Sequence, residues 1–184
     1  MRRRLIGVVV VALLATVAGC TPDGVETPST VPVVTTPTPT PTPQWSADEQ
    51  GAIDAVQRYL EVWTSISQDL VNSDWDQIRD VASDPAANDA VTLWFQWNDN
   101  GWHLVGKPVF EADGVSQGGT DYEGTRYHVH GCYITIDAHL SDANGDPLTK
   151  QGADRGTANY LVIHQINPEE KYYVLEDTRE GNPC

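Results

Sequence analysis

The sequence predicts an α+β fold in which N-terminal helices pack on a strongly curved antiparallel sheet, and three observations carry that expectation. A Ser-x-x-Glu capping box at Ser46 to Glu49 opens a stretch whose apolar residues recur every three or four positions. After Trp102 the period shortens to two, over runs rich in β-branched and aromatic residues. Helices first and strands afterwards is the order of an α+β domain rather than of a βαβ alternation. The 184 residues leave room for one such domain, at 45 to 184, once the first 44 are set aside.

Those 44 residues divide in two. Arg2, Arg3 and Arg4 precede an apolar run from Leu5 to Ala18. The run is shorter than the roughly 20 residues a bilayer-spanning helix needs, so residues 1–20 read as a signal peptide. It ends in Val17-Ala18-Gly19-Cys20, which resembles the lipobox of bacterial lipoprotein signal peptides. The resemblance implies a diacylglyceryl thioether on Cys20 and cleavage just before it. Two or three acyl chains would then hold the protein on the outer face of the cell membrane, each buried methylene contributing about 0.8 kcal/mol. Residues 21–44 hold seven Pro and eight Thr, including an unbroken Pro-Thr alternation from Pro37 to Pro43. Such a segment has no apolar face to bury, so a disordered, extended spacer is expected, with O-glycosylation open.

The first helix should start after Ser46, with Asp48 and Glu49 facing its positive end, and run to about Leu70. Ile53, Val56, Leu60, Trp63 and Ile66 form its apolar stripe, while Asp54, Arg58 and Glu61 face water. Trp75, Ile78 and Val81 suggest a short second helix, stopped at Asp84-Pro85. A third spans about Ala87 to Trp97, although Val91, Thr92 and Phe95 would also suit a strand, and Asp99-Asn100-Gly101 turns the chain. Four strand-like runs follow: His103 to Ala112, Tyr122 to Leu140, Gly156 to Ile166, and Lys171 to Asp177. Asn144-Gly145 between the second and third runs is a strong hairpin signal, and Asn167-Pro168-Glu169-Glu170 supplies the next turn.

An amphipathic aromatic helix, two shorter helices, and a long sheet carrying His130-Gly131-Cys132-Tyr133 with a near-terminal Cys184 together resemble a known architecture. It is the nuclear transport factor 2-like (SnoaL-like) cone fold, which is cystatin-like in outline. More narrowly, the chain is similar to small secreted lipoproteins of actinobacteria. The resemblance implies a cone-shaped sheet, and it leaves function open, since the superfamily contains isomerases, cyclases, dehydratases and non-catalytic binding or dimerising domains.

Eleven Lys and Arg against 26 Asp and Glu give a formal charge of −15, which excludes a nucleic-acid surface, and a 40% apolar composition excludes wholesale disorder. With Cys20 assigned to lipid, Cys132 and Cys184 remain as an even pair in an oxidising compartment, and a disulfide is the simplest reading. The competing arrangement puts His128, His130 and Cys132 on one strand face as zinc ligands, but no fourth ligand is apparent. Asp142, Asn144 and Asp146 copy three positions of a calcium loop. Pro147 and Ala153 stand where that loop needs Gly and Glu, so a turn is expected there instead. No metal or other cofactor is expected.

Tyr59, Trp63, Trp94, Trp97, Tyr127, Tyr133 and Tyr160 are candidates to line a cone-shaped cavity and stack on an apolar or sugar-like ligand. Asp137 or Asp154, with Arg155 and His139, could serve as an acid/base set, yet no spacing singles them out and no catalytic signature is present. The leading reading is therefore a non-catalytic, membrane-anchored binding or assembly module of the cell envelope. Its partner would be an unknown protein or small apolar ligand, and the sheet offers a face for a homodimer. The runner-up is a small cavity enzyme of the isomerase or hydrolase type. A transporter's solute-binding lipoprotein fits poorly, because a single domain cannot form a two-lobed clamp.

Overall fold

Helix α1, Ala47–Gln68, starts where its capping box says it should. The Glu49 amide donates to Ser46 Oγ at 3.3 Å, and the Ser46 amide donates to the Glu49 carboxylate at 2.7 Å. The predicted stripe is buried, with Tyr59 alongside it. The helix stops at Gln68, two residues before the expected end, because Asp69 leaves the helical conformation and its carboxylate accepts from the Asn72 amide. The computed structural model describes residues 45–148, 154–166 and 168–184. Residues 1–44, with the expected signal peptide, Cys20 and the Thr/Pro tract, lie outside them, as do Ala153 and Asn167.

The second helical segment is a 3₁₀ helix, Trp75–Asp80, capped by the Asp74 side chain and anchored by the fully buried Ile78. The third is helix α2, Ala86–Asn100, so the β-branched residues within it do not decide its state. Trp94 does: it is fully buried, and its indole N–H donates to Ser67 Oγ on α1 at 2.8 Å. Gly101, with φ of 66°, ends α2.

The sheet runs differ from expectation at two breaks. His103 to Ala112 splits into β1, His103–Val105, and β2, Val109–Thr120. Tyr122 to Leu140 splits into β3, Thr125–Ile134, and β4, His139–Ser141. Gly106 explains the first break. Its φ is 82°, and a Cβ there would lie 1.8 Å from the Asp137 carbonyl oxygen, so the chain crosses itself at that point. The Thr135–Ala138 turn makes the second break, and β1 then pairs with β4 in a separate two-stranded ribbon. Strands β5, Arg155–Gln165, and β6, Lys171–Arg179, match the last two runs.

The main sheet is antiparallel, in the order β2-β3-β5-β6. It is open, and irregularities in β2 and between Leu161 and Val162 bend it around α1. The second half of β2 went unrecognised in the sequence because Gly114, Gly118 and Gly119 carry no apolar alternation. The Asn144-Gly145 turn forms, but it does not connect the strands it was expected to connect. It folds β4 back onto Pro147 and Leu148, while β5 pairs with β3. Asp142 organises this turn by accepting from the Asn144 and Asp146 amides at 2.8 and 3.0 Å. The outer edge of β6 is covered by Val81–Ser83, which exchanges two backbone hydrogen bonds with Val174.

Cys132 on β3 and Cys184 at the C-terminus form a disulfide, with their Cα atoms 5.7 Å apart. Cys132 is thereby removed from any zinc set, and His130 instead engages Asp113 across the strand pair. The bridge spans 52 residues of sequence. Its reduction, or a Cys132→Ser/Cys184→Ser variant, should lower the unfolding free energy by about 2–5 kcal/mol. Urea unfolding with and without reductant measures this, and unchanged midpoints would show that the bridge carries no stability.

Candidate functional site

The last turn of β6 places Asp177 and Arg179 on one face, since strand side chains alternate with period two. That face meets α1, where Tyr59 and Trp63 stand one helical turn apart. Arg179 donates from Nε to Asp177 Oδ1 at 3.0 Å, from Nη2 to Asp177 Oδ2, and from Nη1 to the Tyr133 hydroxyl at 3.0 Å. Tyr59 donates its hydroxyl to Asp177 Oδ2 at 3.2 Å. The guanidinium also lies over two rings, 4.9 Å from the Trp63 centroid and 4.3 Å from that of Tyr133. Three residues, Trp63 of α1, Tyr133 of β3 and Asp177 of β6, thus converge on one cation, and Tyr59 braces Asp177.

Above them opens a cleft of about 250 Å³. Tyr59, Trp63, Asp177 and Arg179 form its floor, and Ala86, Asp89, Ala90 and Leu93 of α2 its wall. The Asp177 side chain is 12% exposed and that of Arg179 26%, and both line this opening. Burial works against the Arg179 charge, but Asp177 and the neighbouring phenols outweigh it and hold the guanidinium above its usual range. Burial first, and Asp177 second, push the Tyr59 phenol well up. Tyr133 is raised by burial, against the pull of Arg179. Tyr160, beneath the site, is raised most plainly by burial, and its hydroxyl makes no hydrogen bond of good geometry.

The chemistry open to this arrangement follows from what is already engaged. Of the five guanidinium N–H groups, three are used, and two remain for an acceptor on a ligand. Both Asp177 oxygens are taken. The site can hold and orient a polar group against Ala86, Ala90 and Leu93, and Asp89 adds an exposed carboxylate at the same wall.

Of the seven aromatic candidates, Tyr59 and Trp63 line the cleft and Tyr133 supports its cation. The other four are core instead. Trp94 is fully enclosed, and Trp97 packs edge-on against Trp63 at 5.7 Å. Tyr127 lies 6.5 Å from Tyr172, and Tyr160 sits edge-on to Phe110 at 5.1 Å. The space where a deep cone cavity was expected is occupied by these rings. Nor does the acid/base set reach the cleft: Arg155 pairs with Glu111 at 3.3 Å and His139 lies on β4 opposite Val105, while neither Asp137 nor Asp154 lines the opening. Asp177, Arg179 and Asp89 were missed in the sequence. The alternating Asp-x-Arg at the end of the last strand was the signal, and it was lost because that run was ended at Asp177.

No family model matches the chain, and no curated protein matches it. Among solved structures it is similar to the crystal structure of the intermembrane space region of chloroplast protein ARC6, with a TM-score of 0.52 and 13% identity. The likeness covers 76% of this chain and 99% of that one, and it is a likeness of fold. No helix among the described residues is long and apolar enough to cross a membrane.

The raised phenols carry a pH dependence of stability. Unfolded tyrosines release their protons near pH 10, whereas Tyr59, Tyr133 and Tyr160 keep theirs in the folded state, so above about pH 10 the native state binds more protons. Stability is therefore full below that pH and falls as pH rises through it. Tyr160→Phe should make the alkaline fall shallower. Urea midpoints between about pH 8 and about pH 11 test this, and a flat profile would contradict it.

Proposed function

We propose that the protein is a surface-anchored lipoprotein of the cell envelope, akin to the secreted actinobacterial lipoproteins of nuclear transport factor 2-like fold. Its folded domain acts there as a binding or assembly module. Cys20 supplies the anchor, the Thr/Pro tract the distance, and the Arg179 cleft the recognition. The observation that carries binding over turnover is the engagement of Asp177 by Arg179 and Tyr59, which leaves an oriented cation with two spare donors at the floor of the cleft. The Cys132–Cys184 bridge accords with an oxidising, extracytoplasmic compartment.

Two experiments test this reading. Cys20→Ala should shift the protein from the membrane fraction to the medium or leave it unprocessed, and a variant that stays membrane-bound at mature size would refute the anchor. Any ligand retained by the wild-type cleft should be recovered chemically unchanged, and its binding should weaken at least about tenfold in Arg179→Ala. Conversion to a product, lost in Asp177→Asn, would establish the cavity-enzyme alternative instead.

A further inference from the structure

The sheet face turned away from α1 carries a larger cavity, of about 560 Å³, within the size range of small-molecule sites. Arg126, Ile163 and Tyr173 are direct cross-strand neighbours on β3, β5 and β6. They alternate with Tyr127, Val162 and Val174, which face the core, so they form a floor about 10 Å wide on the outer face. Arg79, Ser83 and Asp84 rise at the β6 edge, and Glu123 rises in the β2–β3 turn. This groove shares no residue with the Arg179 cleft.

Its polar groups are arranged as fixed pairs. Arg79 donates to Asp84 at 3.3 Å and to Asn88 at 2.8 Å. Arg126 donates to Glu123 at 2.8 Å and to Asp121. Each guanidinium has spent two of its five N–H groups; Asp84 balances Arg79, and Asp121 and Glu123 together outweigh Arg126, so spare donors lie beside carboxylate oxygens on both walls. Between them runs an apolar strip of Ile163, Leu175 and the Tyr173 ring, whose orientation is held by Lys171 at 4.8 Å.

We propose that this groove is a second binding site and that it takes a neutral oligosaccharide. Each sugar hydroxyl both donates and accepts, which suits walls where the two roles alternate, and the C–H faces suit the apolar strip. An inorganic or phosphorylated anion would meet Asp84 and Glu123. A small cation would meet the two arginines. An extended peptide would seek a strand edge, and the nearby β6 edge is taken by Val81–Ser83.

The test is an array of neutral, uronic and sulfated oligosaccharides probed with the detergent-solubilised full chain, followed by calorimetry on the best binder. Binding to neutral oligosaccharides is expected. It should fall at least about tenfold in Tyr173→Ala and in Arg79→Gln, and should be unchanged in Arg58→Gln on the exposed side of α1. Circular dichroism would confirm that the variants are folded. No binder on the array, binding confined to acidic glycans and competed by inorganic phosphate, or undiminished binding in both groove variants would each overturn the proposal.

Discussion

Everything else in the domain depends on burying one face of α1 against the concave side of the sheet. Ile53, Val56, Tyr59, Leu60, Trp63 and Ile66 are all at most 6% exposed. Each fully buried side chain of this size contributes roughly 1.5–3 kcal/mol. Neither partner could stand alone: a single helix of this length is marginal in water, and a sheet with one apolar face must be covered. The fit is close enough to dictate small residues. Gly51 sits in the helix interior, where it costs about 1 kcal/mol relative to Ala. A Cβ there would lie 2.7 Å from the Tyr172 ring, and the gap lets that tyrosine stack on His164 at 4.0 Å.

The helix also sets where the chemistry lies. Tyr59 and Trp63 belong to the same buried face of α1 that fills the core, and Asp177 and Arg179 come up beneath them from the end of β6, opposite Tyr160 and Ala158 of β5. A cation between two aromatic rings and a bidentate carboxylate is strongly held, yet it keeps part of its donor set outward. Beyond Arg179 the chain is tied down at once. Glu180 and Asn182 bond to Thr157, and Cys184 is joined to β3. Tail, disulfide and cleft are thus neighbours in sequence and in space.

The two faces of the sheet have divided their work. The inner face is mostly apolar and filled by rings, with the Asp177–Arg179 pair at the shallow opening beside α2. The outer face carries the paired arginines, and there the edge strap at Val81–Ser83 builds one wall of the larger groove while protecting β6 from further pairing.

The sequence by itself determined the elements whose signals are local. A capping box, a 3.6-residue stripe and a two-residue alternation each act over a few neighbouring residues, so α1, the fold class and strands β5 and β6 were legible. So was the Cys132–Cys184 pair, by elimination. Tertiary structure decided what depends on contacts between distant residues. Gly106 breaks a strand only because the Asp137 carbonyl passes beside it, and the Asn144-Gly145 turn serves β4 because β3 is already the partner of β5. Whether an aromatic lines a cavity or fills it depends on the ring opposite, as with Tyr160 against Tyr59 and Phe110. Arg179 gained its role in the same way: its partners Trp63, Tyr133 and Asp177 come from three elements, and no window of sequence contains them together.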